Sequence, residues 1–386
     1  LIEDGYKLKS NSDGEVISHL YRKYGDTFFS MLNGMFAIAL WDSQKRILLL
    51  GRDFAGEKPL YYSNLTNGNG FLFASDLNSI VSSNLVSTSL NEQALWDFPT
   101  FLWVPEPSTI YCSIKALPPS SYMRVSLEGK SIQIQSYKNK IARPIIDTTS
   151  YHSVVESVRD VVEHNIKSQL LSDVPIGSFL SSGLDSSIIT TIASKNTDKL
   201  TTFCVGFEEI DDPYHGKADE SDLAAEYAHV LGTKHHTIKV TSQYFRDLLP
   251  QLTQSAGQPY AVSSGLGILA ISKAASECGI KVLLSGDGAD EAFGGYTWYK
   301  FLPSICNAKP TRANLSRFQD MVNSNIDPNH ICKIVSSYVS NERAWSAHYY
   351  TSESEKALLF GKEFAAESSL RHFNSFTFNE PIDFLN

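Results

Sequence analysis

The chain is 386 residues long, which at about 150 residues per domain predicts two or three domains with real cores and excludes a peptide or mini-protein. Its 33 Lys and Arg against 42 Asp and Glu leave a net charge of −9, too acidic for a protein whose partner is bulk nucleic acid or an anionic membrane face, so a phosphate-bearing ligand has to be held locally. With 42% hydrophobic and 19% charged residues the composition is that of a globular protein, and no apolar run reaches the roughly 18 residues that cross a bilayer.

Residues 1–140 read as mostly strand. A helix over 14–24 comes first, and short β-rich runs follow at 35–42 (MFAIALWD), 46–53 (RILLLGRD), 60–63 and 70–76 (GFLFASD). They are separated by SQK, GEKP and an Asn/Gly-rich stretch, as hairpin-linked antiparallel strands are. A second helix is expected over 91–102, and ARPIIDTTS then looks like a linker, placed at 141–150. From 151 the rhythm changes, because Val154, Val158, Val162, Ile166 and Leu170 recur at helical spacing before an apolar strand that ends at Leu180. Helix 186–195, strand 201–207, helix 219–231, strand 234–240, helix 264–278 and strand 281–285 continue the pattern, the alternation of a parallel, helix-covered sheet. Beyond about 300 the chain reads as helical and polar.

The five cysteines, Cys112, Cys204, Cys278, Cys306 and Cys332, are odd in number and scattered without a C-x-x-C pair. That argues against a disulfide framework or zinc knuckle and for a reducing, cytoplasmic setting. The first residue is Leu1, and no basic segment followed by an apolar one reads as a signal peptide. The absent initiator Met places the expected start of the protein upstream.

Two strand-end loops carry the chemistry. In VPIGSFLSSGLDSSIITTIAS, residues 174–194, a buried strand ends at Leu180, a tight loop follows, and Asp185-Ser186-Ser187 opens a helix. Free N–H groups and the helix dipole at such a place favour an anion, and the hydroxyls of Ser181, Ser186 and Ser187 add donors. Asp185 would repel phosphate unless Mg²⁺ lies between them. A Walker loop is excluded because no Lys follows the glycine, and a nucleophile elbow because the G-x-S-x-G spacing is missing. Taken alone, the string equally suits a turn glycine followed by a helix cap. In KVLLSGDGADEAFGGY, residues 281–296, Ser285-Gly286 ends a second apolar strand and Asp287, Asp290 and Glu291 crowd three acids together. A shared cation would compensate them, and a solvated acidic turn is the plainer reading of this segment alone. Two such loops in one parallel sheet favour the ligand reading.

LSSGLDSS together with LLSGDGADEAFGGY resembles the synthetase domain of glutamine-dependent asparagine synthetases, of the ATP-pyrophosphatase group. TTFCVGF and DESDLAAEYAHVLGTKHH resemble the same family between the loops, NGMFAIALWDSQKRILLLGRDFAGEKPLYY its N-terminal glutaminase domain, and Ser12-Asp13-Gly14-Glu15-Val16 its glutamine-site segment. The resemblance implies an incomplete α+β Ntn-hydrolase-type glutamine amidotransferase domain over 1–140. An α/β parallel-sheet ATP-pyrophosphatase domain, like the adenine nucleotide alpha hydrolases, would follow over 151–386.

It also implies roles. Ser181, Gly183, Ser186 and Ser187 would meet the ATP pyrophosphate, Asp185 and Asp290 would hold Mg²⁺, and Val205, Gly206, Ser285 and Gly286 would meet the adenosine part. Asp287 would help the ammonia step, and Asp13 would bind the α-amino group of glutamine. The implied activity is a cytoplasmic carbon–nitrogen ligase of asparagine biosynthesis. Its partners are aspartate, glutamine and ATP, with no nucleic acid and no membrane, and a homodimer is its expected assembly.

Three departures from the family pattern stand out. Ser182 occupies a position that is usually Gly and would strain the loop if it required positive φ. The N-terminal nucleophilic cysteine of the glutaminase would precede Leu1, so this stretch by itself is expected to lack glutaminase activity. The C-terminal helices and a phosphate-contacting lysine would follow Asn386. Three other readings remain open: a relative that amidates or cyclises another carboxylate, a tRNA-thiolating pyrophosphatase disfavoured by the absent paired cysteines, and a nucleotide-binding remnant without turnover. His235 and His236, adjacent on a strand, should face opposite ways and not share a metal. Cys204 reads as core, and the aromatic residues at 296–299 suit a pocket or packing equally.

Overall fold

The structure is a computed structural model that describes residues 1–2, 5–10, 12–68, 70–126, 131–137, 150–207, 219–295, 351, 353–361 and 364–373. Most of the linker read at 141–150, the aromatic run at 296–299, Cys306 and Cys332 lie outside the described residues. The chain divides into two compact units. One comprises Leu1–Phe98, Leu102–Pro144 and Ala256–Tyr260, the other Pro99–Phe101, Ile145–Ser255 and Ala261–Asn386.

The first unit opens with α1 (Glu15–Tyr24), whose acidic first turn and basic last turn suit the helix dipole. A 3₁₀ helix, Gly25–Met31, follows directly and buries Phe28 and Phe29 completely. Next come β1 (Ala37–Asp42), β2 (Ile47–Arg52), β3 (Tyr61–Asn64), β4 (Phe71–Ala74), α2 (Leu77–Ser82), α3 (Glu92–Phe101), β5 (Lys115–Ala116), β6 (Ser121–Ser126) and β7 (Ser131–Ser136). Two antiparallel sheets result, in the orders β1-β2-β6-β7 and β4-β3-β5. Phe28, Phe29, Leu49 and Tyr122 form one core cluster of this unit. Gly51 on β2 lets the ring of Phe29 lie flat on the strand, because a Cβ there would fall on that ring. Buried Arg52, next along, reaches Glu106 at 2.6 Å and donates to the carbonyls of Lys58, Gly56 and Leu117. Asp53 accepts the N–H groups of Phe36, Glu57 and Lys58. The RDFAGEKP segment therefore folds around buried Arg52 and Asp53, with Glu106 reaching Arg52 from outside it.

The second unit begins with α4 (Tyr151–Gln169), which Ser150 caps by accepting the Ser153 N–H. Then follow β8 (Ile176–Phe179), α5 (Leu184–Asn196), β9 (Thr201–Phe207), α6 (Ser221–Leu231), β10 (Lys234–Val240), α7 (Ser242–Ala256), α8 (Ser264–Glu277), β11 (Val282–Leu284), α9 (Ala289–Phe293) and α10 (Glu353–Phe360). The four strands form one all-parallel sheet in the order β10-β9-β8-β11. Side chains of β9 alternate between its faces. Cys204 packs with Leu180, Ala224 and Ala228 under α6, and Phe203 packs with Ile271, Ala275 and Ile280 under α8. Helix α5 shares the α6 face, where Thr191 and Tyr227 meet at 2.7 Å.

This strand order fixes the place of a site. From β8 the chain steps outward to β9 and β10, then returns past β8 to β11. The direction of winding reverses between β8 and β11, and in open parallel sheets the crevice at the carboxyl ends of two such strands is where ligands bind.

Candidate functional site

A cleft of about 550 Å³ opens at that switch point. Phe179, Phe203, Val205, Phe207, Ile268 and Ile271 supply its apolar wall. Ser181, Gly183, Asp185 and Ser186 reach it from the loop after β8, and Ser285, Gly286, Asp287 and Asp290 from the loop after β11. The two loops touch, since a Cβ placed on Gly286 would stand 3.2 Å from the backbone N of Ser186.

The first loop is held by its own hydroxyls. Ser186 Oγ accepts the Ser181 N–H at 3.1 Å, the Ser181 and Ser186 hydroxyls lie 2.9 Å apart, and Ser181 Oγ accepts the Gly183 N–H at 3.1 Å. Gly183 precedes α5 in extended conformation, with φ −68°, and makes no side-chain cap. The first-turn N–H groups of α5 are therefore not taken by a capping side chain and remain donors for a ligand. Ser182 is absent from the residues with positive φ, so a serine there costs no backbone strain. Its hydroxyl donates instead to Glu220 Oε2 at 2.6 Å. In the second loop Ser285 Oγ donates to Asp287 Oδ2 at 3.0 Å, and Gly288, in left-handed conformation, turns the chain into α9.

Of the residues singled out from sequence, the cleft gathers Ser181, Gly183, Asp185, Ser186, Val205, Ser285, Gly286, Asp287 and Asp290. Ser187 and Gly206 do not line it. Ser187 continues α5 with its N–H bonded to the Gly183 carbonyl. Gly206 faces side chains instead, since a Cβ there would lie 2.8 Å from Ser221 Oγ and 2.9 Å from Lys239 Nζ. Asp13 is exposed in the turn that leads into α1 of the other unit.

Glu220 and Ser221 line the cleft and were not found from sequence. Their neighbour Asp219 clamps this corner. It accepts the Phe207 N–H at 3.0 Å and the Ser221 N–H at 2.9 Å, and pairs with Lys239 at 2.8 Å. Burial works against its charge, but hydrogen bonds from Lys239 and Ser221 prevail and hold the carboxyl at about 2.

His235 and His236 do point to opposite faces. His235 Nδ1 is 2.9 Å from Thr202 Oγ1 and its Nε2 3.3 Å from Cys204 Sγ, whereas His236 stacks on Phe203. Burial pushes the Cys204 thiol up and the His235 imidazole down. The pair is a neutral thiol beside a neutral imidazole, not an activated nucleophile. Among the described residues no group of three or more His, Cys, Asp or Glu is placed to hold a metal ion, and no helix is long and apolar enough to cross a membrane.

Such a crevice, with hydroxyls, backbone donors and carboxylates facing one another across the switch point of a parallel sheet, defines the class of ligand-binding α/β domains. Comparison with known proteins refines the class. The asparagine synthase family model matches residues 157–376, more than half of the chain, and the glutamine amidotransferase domain model matches residues 1–138. The chain belongs to the asparagine synthase family. It is 34% identical over 297 residues to asparagine synthetase [glutamine-hydrolyzing] 1 of Bacillus subtilis, covering 77% of this chain and 45% of that protein. Against asparagine synthetase B [glutamine-hydrolyzing] of Escherichia coli it is 32% identical over 324 residues, 78% of this chain and 50% of that one. It is also 29% identical over 321 residues to amidase chry2 of Gibberella zeae, 78% of this chain and 45% of that one. The chain spans about half the length of the curated relatives it matches.

Proposed function

We propose that the protein is an ATP-dependent carbon–nitrogen ligase that takes its amide nitrogen from glutamine and transfers it to aspartate, giving asparagine. The observation that carries this reading is the convergence of both strand-end loops on one cleft with an apolar wall. In this reading the apolar wall and Val205 hold the adenosine part. The loop hydroxyls and the N-terminal N–H groups of α5 face the pyrophosphate, where they stabilise charge as it develops.

The β-carboxylate oxygen of aspartate attacks the α-phosphorus, and the bond to pyrophosphate breaks to leave β-aspartyl-AMP. Ammonia then attacks the acyl carbon, AMP leaves with the electron pair, and a proton is lost to give the amide. Asp287, fixed by Ser285, stands in the cleft where it can take that proton. Activation is required because a free carboxylate is a poor acyl donor.

Asp185 and Asp290 are suited to Mg²⁺. Both line the cleft, and one or two carboxylates completed by phosphate oxygens and water form the donor set this ion takes. Bound there, the ion neutralises charge on the transferring phosphate oxygens. Asp13 is read as the ligand of the glutamine α-amino group, in a glutaminase domain of the Ntn-hydrolase type.

A second reading keeps the cleft chemistry and changes the acceptor, and the likeness to amidase chry2 favours keeping it. ATP–pyrophosphate exchange across a panel of carboxylates separates the two. Exchange that depends on aspartate supports asparagine synthesis, exchange that depends on another carboxylate supports the second reading, and no exchange with any of them overturns both.

A further inference from the structure

We infer that Ser182 and Glu220 form a latch that positions the loop after β8 for the phosphates of the nucleotide, an inference that rests on the Mg-ATP reading of the cleft. The hydrogen bonds of Ser181, Gly183 and Ser186 all close within the β8–α5 segment itself. The bond of Ser182 leaves it, crossing 38 residues of sequence to Glu220 at 2.6 Å. Both side chains are exposed, so water competes for the bond and its worth is that of an ordinary hydrogen bond.

Glu220 is a firm anchor. Its carbonyl accepts the Ala224 N–H as α6 begins, and on either side Asp219 and Ser221 tie the start of α6 to the end of β9 and to Lys239 on β10. The latch therefore fastens the loop to the corner of the sheet that three elements already share.

Serine at this position has a use that glycine lacks. No positive φ is required, so the side chain costs no strain, removes the extra backbone freedom of glycine and supplies the hydroxyl. A loop held in register presents its N–H groups to phosphate before the nucleotide arrives, and such preorganisation favours bound substrate and transition state alike. Its loss should appear in KM for Mg-ATP and not in kcat.

The test is Mg-ATP titration of aspartate-dependent ATP–pyrophosphate exchange in the full-length protein, with Tm recorded for every variant. Ser182→Ala and Glu220→Ala should each raise KM for Mg-ATP about fivefold, the size of one lost hydrogen bond, and leave kcat and the KM for aspartate unchanged. The double variant should be no worse than either single one, as for two partners in one bond. Ser182→Thr, which keeps the hydroxyl, and Glu220→Gln, which keeps an acceptor oxygen, should restore a near-native KM. Additive effects in the double variant, a shift of Tm without a shift of KM, or a tighter KM in Glu220→Gln would each overturn the latch while the nucleotide reading stands. Absence of exchange in the native protein would overturn both.

Discussion

Gly286 lies against Asp185 across the floor of the cleft, so closely that a Cβ on the glycine would stand 3.0 Å from the Cβ of the aspartate. The two loops after β8 and β11 are therefore fitted to each other at a position where a methyl group is tight and its neighbours must give. Gly286→Ala must push Asp185 or the start of α5 aside, and both belong to the proposed phosphate site. Mg-ATP affinity measured by calorimetry should fall at least about tenfold, the effect of a small misplacement of binding groups. Gly183→Ala meets only the hydroxyl of Ser181, not backbone, and needs no unusual φ, so its loss should be the smaller of the two. The reverse order would show that contact between the loops is unimportant.

Asp185→Asn and Asp290→Asn keep the side-chain shape and remove the charge that would hold Mg²⁺. Each should weaken Mg-ATP binding by about tenfold or more, while binding of ATP without the metal changes little. Asp76→Asn is the control. Asp76 caps α2 by accepting the N–H groups of Asn78 and Ser79, a task Asn performs as well, and nucleotide binding should be unaffected. Unchanged Mg-ATP binding in both loop variants would remove these two residues from the metal site.

Both loops were legible in the sequence because each interrupts an apolar strand with Ser and Gly and then opens a helix with acid. The switch point between β8 and β11 was not, since strand order is a long-range property and 281–285 reads only as another buried strand. Glu220 escaped notice because its significance comes from Ser182, 38 positions away. Helix α7 contains Pro250, which reads as a breaker. The 3₁₀ helix that buries Phe28 and Phe29 has no period of its own to announce it. Strand β7 shows the alternation SIQIQS, but with every residue exposed it lacks the buried face that makes such a run conspicuous.

In the first unit, Gly51→Ala should be costly. Phe29 is fully buried, stacks on Tyr122 at 5.2 Å and rests on the very place where the new methyl would go. A ring locked among core neighbours cannot turn aside without displacing them, and overpacking of this kind costs about 1–3 kcal/mol or more. Urea denaturation should report a lower midpoint with an unchanged slope. An alanine variant as stable as the native protein would mean that this core yields easily.

Tyr137 donates its hydroxyl to the Arg52 carbonyl at 2.7 Å, and burial, with the Asp53 carboxylate nearby, pushes it up to about 12. A phenol raised above its ordinary 10.0 favours the folded state in its neutral form. That contribution is complete below 10 and is lost as pH rises through about 12. Tyr137→Phe should be less stable than the native protein near neutral pH by about 1 kcal/mol, the size of a hydrogen bond. The two should converge across that alkaline window. A constant gap across it would show that the hydroxyl does not titrate with unfolding.

Asp219 gives the opposite sign. Its carboxyl is held at about 2 against an ordinary 3.8, so the folded state prefers it ionised, and its stabilisation is present above 3.8 and lost as pH falls through about 2. Two kinds of partner contribute, and salt distinguishes them. Lys239 is more than half exposed, and an exposed pair is weak and readily screened, whereas the N–H groups of Phe207 and Ser221 are fixed by the fold and indifferent to ionic strength. Asp219→Asn should therefore be less stable than the native protein at neutral pH, and high salt should remove only the Lys239 share of the difference. As acid protonates the native carboxylate the two proteins should converge, and near pH 2 they should unfold together in circular dichroism. A difference that persists undiminished to that pH would show that Asp219 acts through shape and hydrogen bonding alone, with its charge of no consequence to the fold.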